Sequence, residues 1–248
     1  MVSSVMPRAC TPPDTVVYAI GDVHGCLERL RDLERWIRED AARRTASRRM
    51  IVHLGDYVDR GPDSAGVVRH LIERPLAGYE TVHLMGNHER MLLDFLDDPA
   101  GGATWLANGG VAALASWDVA ADRYAARDRA ALEELAAAFA RRLPAAERRF
   151  LEGLRLTHRE GGYLFVHAGI RPGVPLDAQI PDDLLWIRGE FLRSNNDHGA
   201  VVVHGHTPVE EAEILPNRIN VDTGAVYGGT LTAAVLEGEL VSLLQARA

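Results

Sequence analysis

Six short apolar runs in this chain end in the same way, and that shared ending constrains the fold more than any other feature. Five of them are "TVVYAIGDVHG" (15–25), "MIVHLGDYVDRG" (50–61), "ETVHLMGNHER" (80–90), "GYLFVHAG" (162–169) and "GAVVVHGHTP" (199–208). Each passes through β-branched or apolar residues and breaks at or near a glycine into Asp, Asn or His. The sixth, "RINVDTGAVYGG" (218–229), repeats the pattern with Asp222. Runs of this length read as buried strands. One such ending is an ordinary polar turn, but six in one chain form a set. Open α/β sheets gather ligands at the carboxyl ends of their strands, so these side chains are expected to converge on one site.

Helical patterns lie between the runs. In "CLERLRDLERWIRED", Leu27, Leu30, Leu33 and Ile37 recur at helical spacing, and "SAGVVRHLIE" and "ERMLLDFL" follow the second and third runs. Alternating strands and helices predict an α/β fold. From about residue 122 to 153 the chain is rich in Ala, Arg, Glu and Leu. That stretch is read as a small helical insert of two helices split at Pro144, a packing or lid element. Hairpins are predicted at Gly161–Gly162 and at Glu237–Gly238, and the closing strands suggest a second, mixed or antiparallel sheet. Residues 1–14 are read as a loose N-terminal arm ahead of a single domain spanning 15–248.

With 47% hydrophobic and 25% charged residues the chain can bury a core. A net charge of -8 argues against a sequence-independent nucleic-acid binder. No run approaches the ~20 apolar residues of a membrane helix, so neither nucleic acid nor membrane is expected as a partner. Cys10 and Cys26 are the two cysteines, and with Cys10 in the arm no structural disulfide is expected. No signal peptide is read at the start, and the expected setting is cytoplasmic. Oligomeric state is not legible.

The strand-end residues suggest metal chemistry. Asp22 and His24 stand two apart, which in extended chain puts both on one side. Asp56, Asn87, His167 and His206 add donors at the other ends. His204, two before His206, faces the same way in extended chain, and spacing does not choose between them. His53 and His83 lie inside strand runs and are read as core or supporting residues. His70 in a helix, and His158 and His198 in segments read as exposed, are taken as incidental. Oxygen and imidazole donors without thiolate suit Mn²⁺, Fe or Zn²⁺ better than Ca²⁺. Six donors exceed the needs of one catalytic metal and match two cations sharing a carboxylate, typically about 3.5–4 Å apart. No phosphate-binding G-x-x-x-x-G-K-[ST] loop, H-E-x-x-H or G-x-S-x-G occurs.

Taken together, "GDVHG", "GDYVDRG", "GNHE", "HAG" and "GHT", in this order from Gly21 to Thr207, resemble the calcineurin-like metallophosphoesterase superfamily and, within it, the phosphoprotein phosphatases of bacterial Ser/Thr type. The resemblance implies a sandwich of two mixed β-sheets flanked by helices. It implies one metal on Asp22, His24 and Asp56, and a second on Asp56, Asn87, His167 and His206, with Asp56 bridging and "GHT" selecting His206. The metals are expected to be two divalent ions, foremost Mn²⁺. It further implies His88 as general acid, oriented by Asp59, with Arg60 and, on a looser match, Arg188 gripping phosphate. A metal-bridging hydroxide would attack phosphorus in line, and His88 would protonate the leaving oxygen. Cys26 is read as packing at a helix start, while Asp222 and Tyr227 are expected to support His206 or border the pocket.

The expected substrate is a phosphoprotein or a small phosphoester. The nearest rival is symmetrical bis(5'-nucleosyl)-tetraphosphate hydrolysis. That group is expected to carry "VARG" and "GNHD", so Asp59 and Glu89 favour the protein phosphatase. A non-catalytic metal-binding module is the rival from another class; it would have no use for His88, Asp59 and both arginines.

Overall fold

Strand β1 (Thr15–Ile20) explains the layering of the molecule. Its side chains alternate, and both faces are buried: Val16, Tyr18 and Ile20 pack on helices, whereas Val17 and Ala19 meet a second sheet. A strand buried on both faces must lie inside a stack of layers, and the computed structural model shows such a stack across the residues it describes, 9–121 and 128–247.

After β1 come α1 (Leu27–Ala41), β2 (Arg48–His53), α2 (Ser64–Glu73), β3 (Glu80–His83) and α3 (Asn87–Asp97). Short helices α4 (Gly102–Trp105) and α5 (Val111–Ser116) flank a π-turn at Leu106–Gly110, and α6 (Arg129–Arg142) and α7 (Ala145–Glu152) follow. The second half holds β4 (Thr157–Glu160), β5 (Tyr163–Val166), α8 (Pro181–Trp186), α9 (Gly189–Leu192), β6 (Val201–His204), β7 (Glu213–Ile214), β8 (Arg218–Asn220), β9 (Leu231–Glu237) and β10 (Leu240–Ala246).

Two five-stranded sheets form, in the orders β10-β9-β1-β2-β3 and β4-β5-β6-β8-β7. Both are mixed. In the first, β1, β2 and β3 run parallel and β9 is antiparallel to β1. In the second, β5, β6 and β8 run parallel, with β4 and β7 antiparallel at the edges. The inner faces interlock through Val17, Val52, Phe165, Val203, Ile219 and Ala234. Outside the first sheet lie Leu30, Leu33, Ile37, Val67 and Phe95 of the helices. Outside the second, Leu184, Ile187 and Phe191 cover Leu164, Val166 and Val202. The result is the expected sandwich of two mixed sheets flanked by helices.

Register sets the site. Ile20 pairs with His53, and His53 with His83, so β1, β2 and β3 end level. Phe165 pairs with Val203, and Val203 with Ile219, so β5, β6 and β8 also end nearly level. Every strand-end motif therefore leaves a parallel strand at its carboxyl end.

Several expectations need correction. The hairpin β9–β10 completes the first sheet through β9 beside β1, rather than forming part of a second one. Its turn falls one residue later, between Glu237 and Leu240. The helical insert begins well before residue 122: α4, the π-turn and α5 already belong to it, and Trp105, Leu106 and Leu114 share the helical core with Phe139. The stretch 122–127 lies outside the described residues. Pro144 caps α7 rather than entering its first turn.

The arm is not loose where it is described, although residues 1–8 lie outside. Thr11 is buried; its amide donates to Gly238 O at 3.1 Å and its hydroxyl accepts from Gly238 N at 2.8 Å. Cys10 O accepts from Gly162 N at 2.9 Å. Residues 10 and 11 thus tie the turn of one sheet's hairpin to that of the other. Both cysteines are free thiols. His158 and His198 are half-buried against Phe165 and Phe191, not exposed.

Candidate metal centre

The loop after β2 must turn sharply while keeping three side chains pointed inward. Asp56, Asp59 and Arg60 all take left-handed backbone conformations, with φ of 52°, 72° and 67°. His24 (42°) and His206 (66°) do the same, so five of the seven such non-glycine residues described belong to this site. Each costs on the order of 1–2 kcal/mol, and such strain persists only where the surroundings over-determine it.

Here the surroundings are specific. The carboxylate of Glu89 in α3 accepts four amides: Asp56 N (2.8 Å), Tyr57 N (2.7 Å), Val58 N (3.1 Å) and Gly86 N (2.9 Å). Asp56 O in turn accepts from Val23 N and His24 N, locking the loop after β1 onto the loop after β2. Burial, then the nearby Asp56, pushes the Glu89 carboxyl up to about 8, against the pull of these amides.

Asp56 is the hub. Its Oδ2 lies 3.4 Å from His24 Nε2 and 4.0 Å from His88 Nε2, while its Oδ1 lies 3.4 Å from His167 Nε2. The two oxygens of one carboxylate therefore face two different sets of imidazoles. His24 Nδ1 is bonded to Val58 O at 2.8 Å and His167 Nδ1 to Leu54 O at 2.9 Å. A carbonyl can only accept, so both rings carry their proton on Nδ1 and turn the Nε2 lone pair inward. Asn87 Oδ1 lies 2.9 Å from His167 Nε2 and 2.8 Å from His206 Nδ1, and the buried His206 Nε2 has no partner.

Electrostatics agree with this donor set. Burial pulls His24 down to about 3 and His206 to about 2, keeping both rings neutral. Asp22 is raised well above the usual range by burial and by Asp222 and Asp56, and burial brings Asp222 to about 6. Burial opposes ionisation of Asp56, but His167, His88, His24 and His206 outweigh it and hold Asp56 well below that range. Neutral imidazoles around crowded carboxylates form a donor set that divalent cations would neutralise.

Two groups of donor atoms lie within 4.8 Å of one another: His24, Asp56 and His88, and Asp56, His167 and His206. The second contains three of the four residues expected for the second metal, with Asn87 alongside. The first contains two of the three residues expected for the first metal, His24 and Asp56, with His88 beside them. The Asp22 carboxylate accepts His206 N at 3.0 Å.

The choice between His204 and His206 is now clear. The backbone reverses hand at His206, so the two rings part. His204 packs edge-on to Phe191 at 5.0 Å, behind the second sheet, whereas His206 joins the site. His53 and His83 stack at 5.0 Å against Tyr57 and Phe150, away from the Asp56 donors, as supporting residues.

Beside the hub, His88 Nδ1 lies 2.6 Å from Asp59 Oδ2, and both residues are buried. Burial pulls His88 down, but Asp56 and Asp59 outweigh it and raise it; for Asp59 burial wins and its carboxyl rises despite His88. Sequence reading missed Trp105, whose Nε1–H donates to both Asp59 oxygens at 2.9 and 3.1 Å. No motif signals this contact, because indoles of helices are ordinarily core residues. Arg60 Nη1 reaches His24 Nε2 at 2.6 Å, and its guanidinium lies 5.7 Å over the exposed ring of Tyr227. Arg188 donates to Thr207 Oγ1 at 3.2 Å, next to His206, whose ring Trp186 meets edge-on. Cys26 is half-buried at the start of α1.

Comparison with known proteins gives a consistent picture. The calcineurin-like phosphoesterase family model matches residues 15–233. The chain is 31% identical over 229 residues to serine/threonine-protein phosphatase 1 of Salmonella typhimurium, covering 89% of this chain and 92% of that protein. It is 30% identical over 234 residues to an asymmetrical bis(5'-nucleosyl)-tetraphosphatase of Oceanobacillus iheyensis, covering 86% of each. A solved structure provisionally described as a diadenosine tetraphosphatase is 25% identical, with a TM-score of 0.64 over 96% of this chain and 98% of that one. A cold-active protein-tyrosine phosphatase of a Shewanella species shares the fold at 18% identity, with a TM-score of 0.62 over 96% and 83%.

Proposed function

The chain belongs to the calcineurin-like phosphoesterase family, and from that premise we propose that it is a binuclear phosphomonoesterase acting on phosphoserine and phosphothreonine of proteins in the cytoplasm. The observation that carries the reading is the buried Asp59–His88 pair at 2.6 Å, set against a hub carboxylate that faces imidazoles on both oxygens. A bare metal-binding module has no use for such a pair.

In this reading Asp22, His24 and Asp56 would hold one cation and Asp56, Asn87, His167 and His206 the other, foremost Mn²⁺. Bound divalent cations supply Lewis acidity and acidify water. The chain's own residues do the rest. Arg60 and Arg188 bind the phosphoryl oxygens and orient the ester, each offering a planar fork of donors. Asp59 accepts from His88 Nδ1 and so directs the proton on Nε2 toward the leaving oxygen. His88 gives up that proton as the ester bond breaks.

The second reading is dinucleoside tetraphosphate hydrolysis, favoured by relatives named for it; those names carry the asymmetrical reaction rather than the symmetrical one expected from the sequence. Asp59 speaks against the symmetrical reaction alone and does not separate a protein phosphatase from the asymmetrical enzymes. Glu89 supports neither, since its carboxylate is spent on four backbone amides.

With Mn²⁺ held constant, a phosphoserine peptide is expected to show higher kcat/KM than a phosphotyrosine peptide or diadenosine tetraphosphate. A preference for the dinucleotide transfers the assignment to the second reading. Hydrolysis of p-nitrophenyl phosphate by the EDTA-treated protein, or by Asp56→Asn, at the wild-type Mn²⁺ rate would overturn the metal-dependent mechanism.

A further inference from the structure

Asp59 and Arg60 are consecutive non-glycine residues, both in the left-handed region. Such a pair needs outside support, and within its own loop it has two contacts: Asp59 N donates to Ser64 Oγ at 2.9 Å and Gly61 N to Asp59 O at 2.7 Å. The remaining contacts named here come from the helical insert, more than forty positions along the chain.

Trp105 Nε1–H donates to the Asp59 carboxylate, and Arg60 N donates to Gly109 O at 3.2 Å. The indole is itself fixed. It is buried, with Phe95 at 4.8 Å on one side and Phe139 stacked at 6.0 Å on the other. Gly109 has φ of 118° inside the π-turn, and a Cβ there would lie 2.7 Å from Arg60 N and Cγ. π-turns cluster at functional sites because they re-aim the backbone. Here the turn aims one carbonyl and one indole at adjacent residues of the phosphate loop.

We infer that Trp105 and Gly109 of the helical insert are positioning residues for the reaction, Trp105 holding Asp59 for its work on His88 and Gly109 holding Arg60 for phosphate. The inference rests on the reading above. It makes the insert the back wall of the catalytic site rather than a lid or plain packing. The two residues act on different parameters, one on proton delivery and the other on phosphate binding.

The test uses the Mn²⁺-loaded full chain with p-nitrophenyl phosphate, whose leaving group needs little protonation, and phenyl phosphate, whose leaving group needs more. Trp105→Phe keeps the ring between Phe95 and Phe139 and removes only the N–H. It is expected to lower kcat on phenyl phosphate about ten-fold, a fraction of what a general acid contributes, and on p-nitrophenyl phosphate less than about two-fold, with KM unchanged. Added to Asp59→Asn, it should cause no further loss.

Gly109→Ala is expected to raise the Ki of inorganic phosphate about ten-fold, with the same kcat ratio between substrates as wild type. Equal kcat losses on both substrates for Trp105→Phe, or multiplicative losses with Asp59→Asn, would overturn the Trp105 assignment. An unchanged phosphate Ki in a folded Gly109→Ala protein would overturn the other. If Asp59→Asn alone shows no leaving-group dependence, the acid role of His88 fails and the Trp105 assignment falls with it. If Asp59→Asn shows that dependence and Trp105→Phe does not, only the Trp105 assignment falls.

Discussion

Replacing Glu89 with glutamine should cost little stability in the metal-free protein and much in the metal-loaded one. Two amides fall on each carboxylate oxygen, Asp56 and Gly86 on Oε2, Tyr57 and Val58 on Oε1. Glutamine turns one oxygen into an NH₂, which then points at two N–H donors. Without cations, burial and Asp56 push Glu89 up to about 8, so at pH 7 it is mostly protonated. One of its oxygens then already carries a hydrogen, and Glu89→Gln costs only about 1 kcal/mol, one ordinary hydrogen bond.

Under the proposed ligand set, bound cations would neutralise Asp56, remove its repulsion and restore the carboxylate. The same substitution then leaves two buried donors unmade at about 1–3 kcal/mol each, or about 2–6 kcal/mol together. By linkage that difference, about 1 kcal/mol at the low end, appears as weaker metal binding by about five-fold or more, since 1.4 kcal/mol is a factor of ten. Urea unfolding of the metal-free variant and calorimetric titration with Mn²⁺ measure the two quantities. A metal-free loss above about 3 kcal/mol with unchanged Mn²⁺ affinity would refute the reasoning, because it would mean that Glu89 is ionised and fully bonded without cations.

Two further outcomes are expected. Gly205→Ala places a Cβ 2.1 Å from Asp22 Oδ1. It should weaken Mn²⁺ binding at least about ten-fold by calorimetry while the urea midpoint of the metal-free protein moves little; unchanged affinity would mean that Asp22 holds no metal. Away from the site, burial opposes ionisation of Asp40, but bonds from Arg44 (2.5 Å) and Tyr18 (2.7 Å) win and hold it below its ordinary value. Because the folded pKa is the lower one, Asp40 contributes stability above its unfolded value near 3.9, and that contribution fades as pH falls through the folded value. The urea midpoint of Asp40→Asn should thus lie below wild type at pH 7 and approach it as pH falls below the unfolded value; a gap independent of pH would contradict the assignment.

What the sequence made legible was local. A strand and its polar ending lie within a dozen residues, so the motifs carried both the strand and the donor. What it hid was set by chain reversal and distance. His204 and His206 look equivalent until the backbone changes hand between them. The hairpin β9–β10 could be seen as a hairpin, but nothing local says which sheet it joins; that depends on β9 pairing with β1 more than two hundred residues earlier. Trp105 was invisible as a partner of Asp59, because only the fold brings them together. Glu89 was read as a mark of substrate class, whereas its carboxylate is taken up by amides of the Asp56 loop that only the fold brings to α3.

The division of donors between the sheets bears on how the protein is made. Asp22, His24, Asp56 and Asn87 follow strands of the first sheet, and His167 and His206 follow strands of the second. A growing chain therefore carries four donors for much of its synthesis without the two that close the site. Domains fold as units and N-terminal parts emerge first, so under the proposed ligand set metal loading would wait until β6 has been added beside β5. In the proposed reading the cations would act as rivets between the two sheets at one end of the sandwich, while Cys10 and Thr11 join the sheets at the hairpin turns. A truncated or stalled product would lack the rivet end, and its free carboxylates would mark it as unfinished.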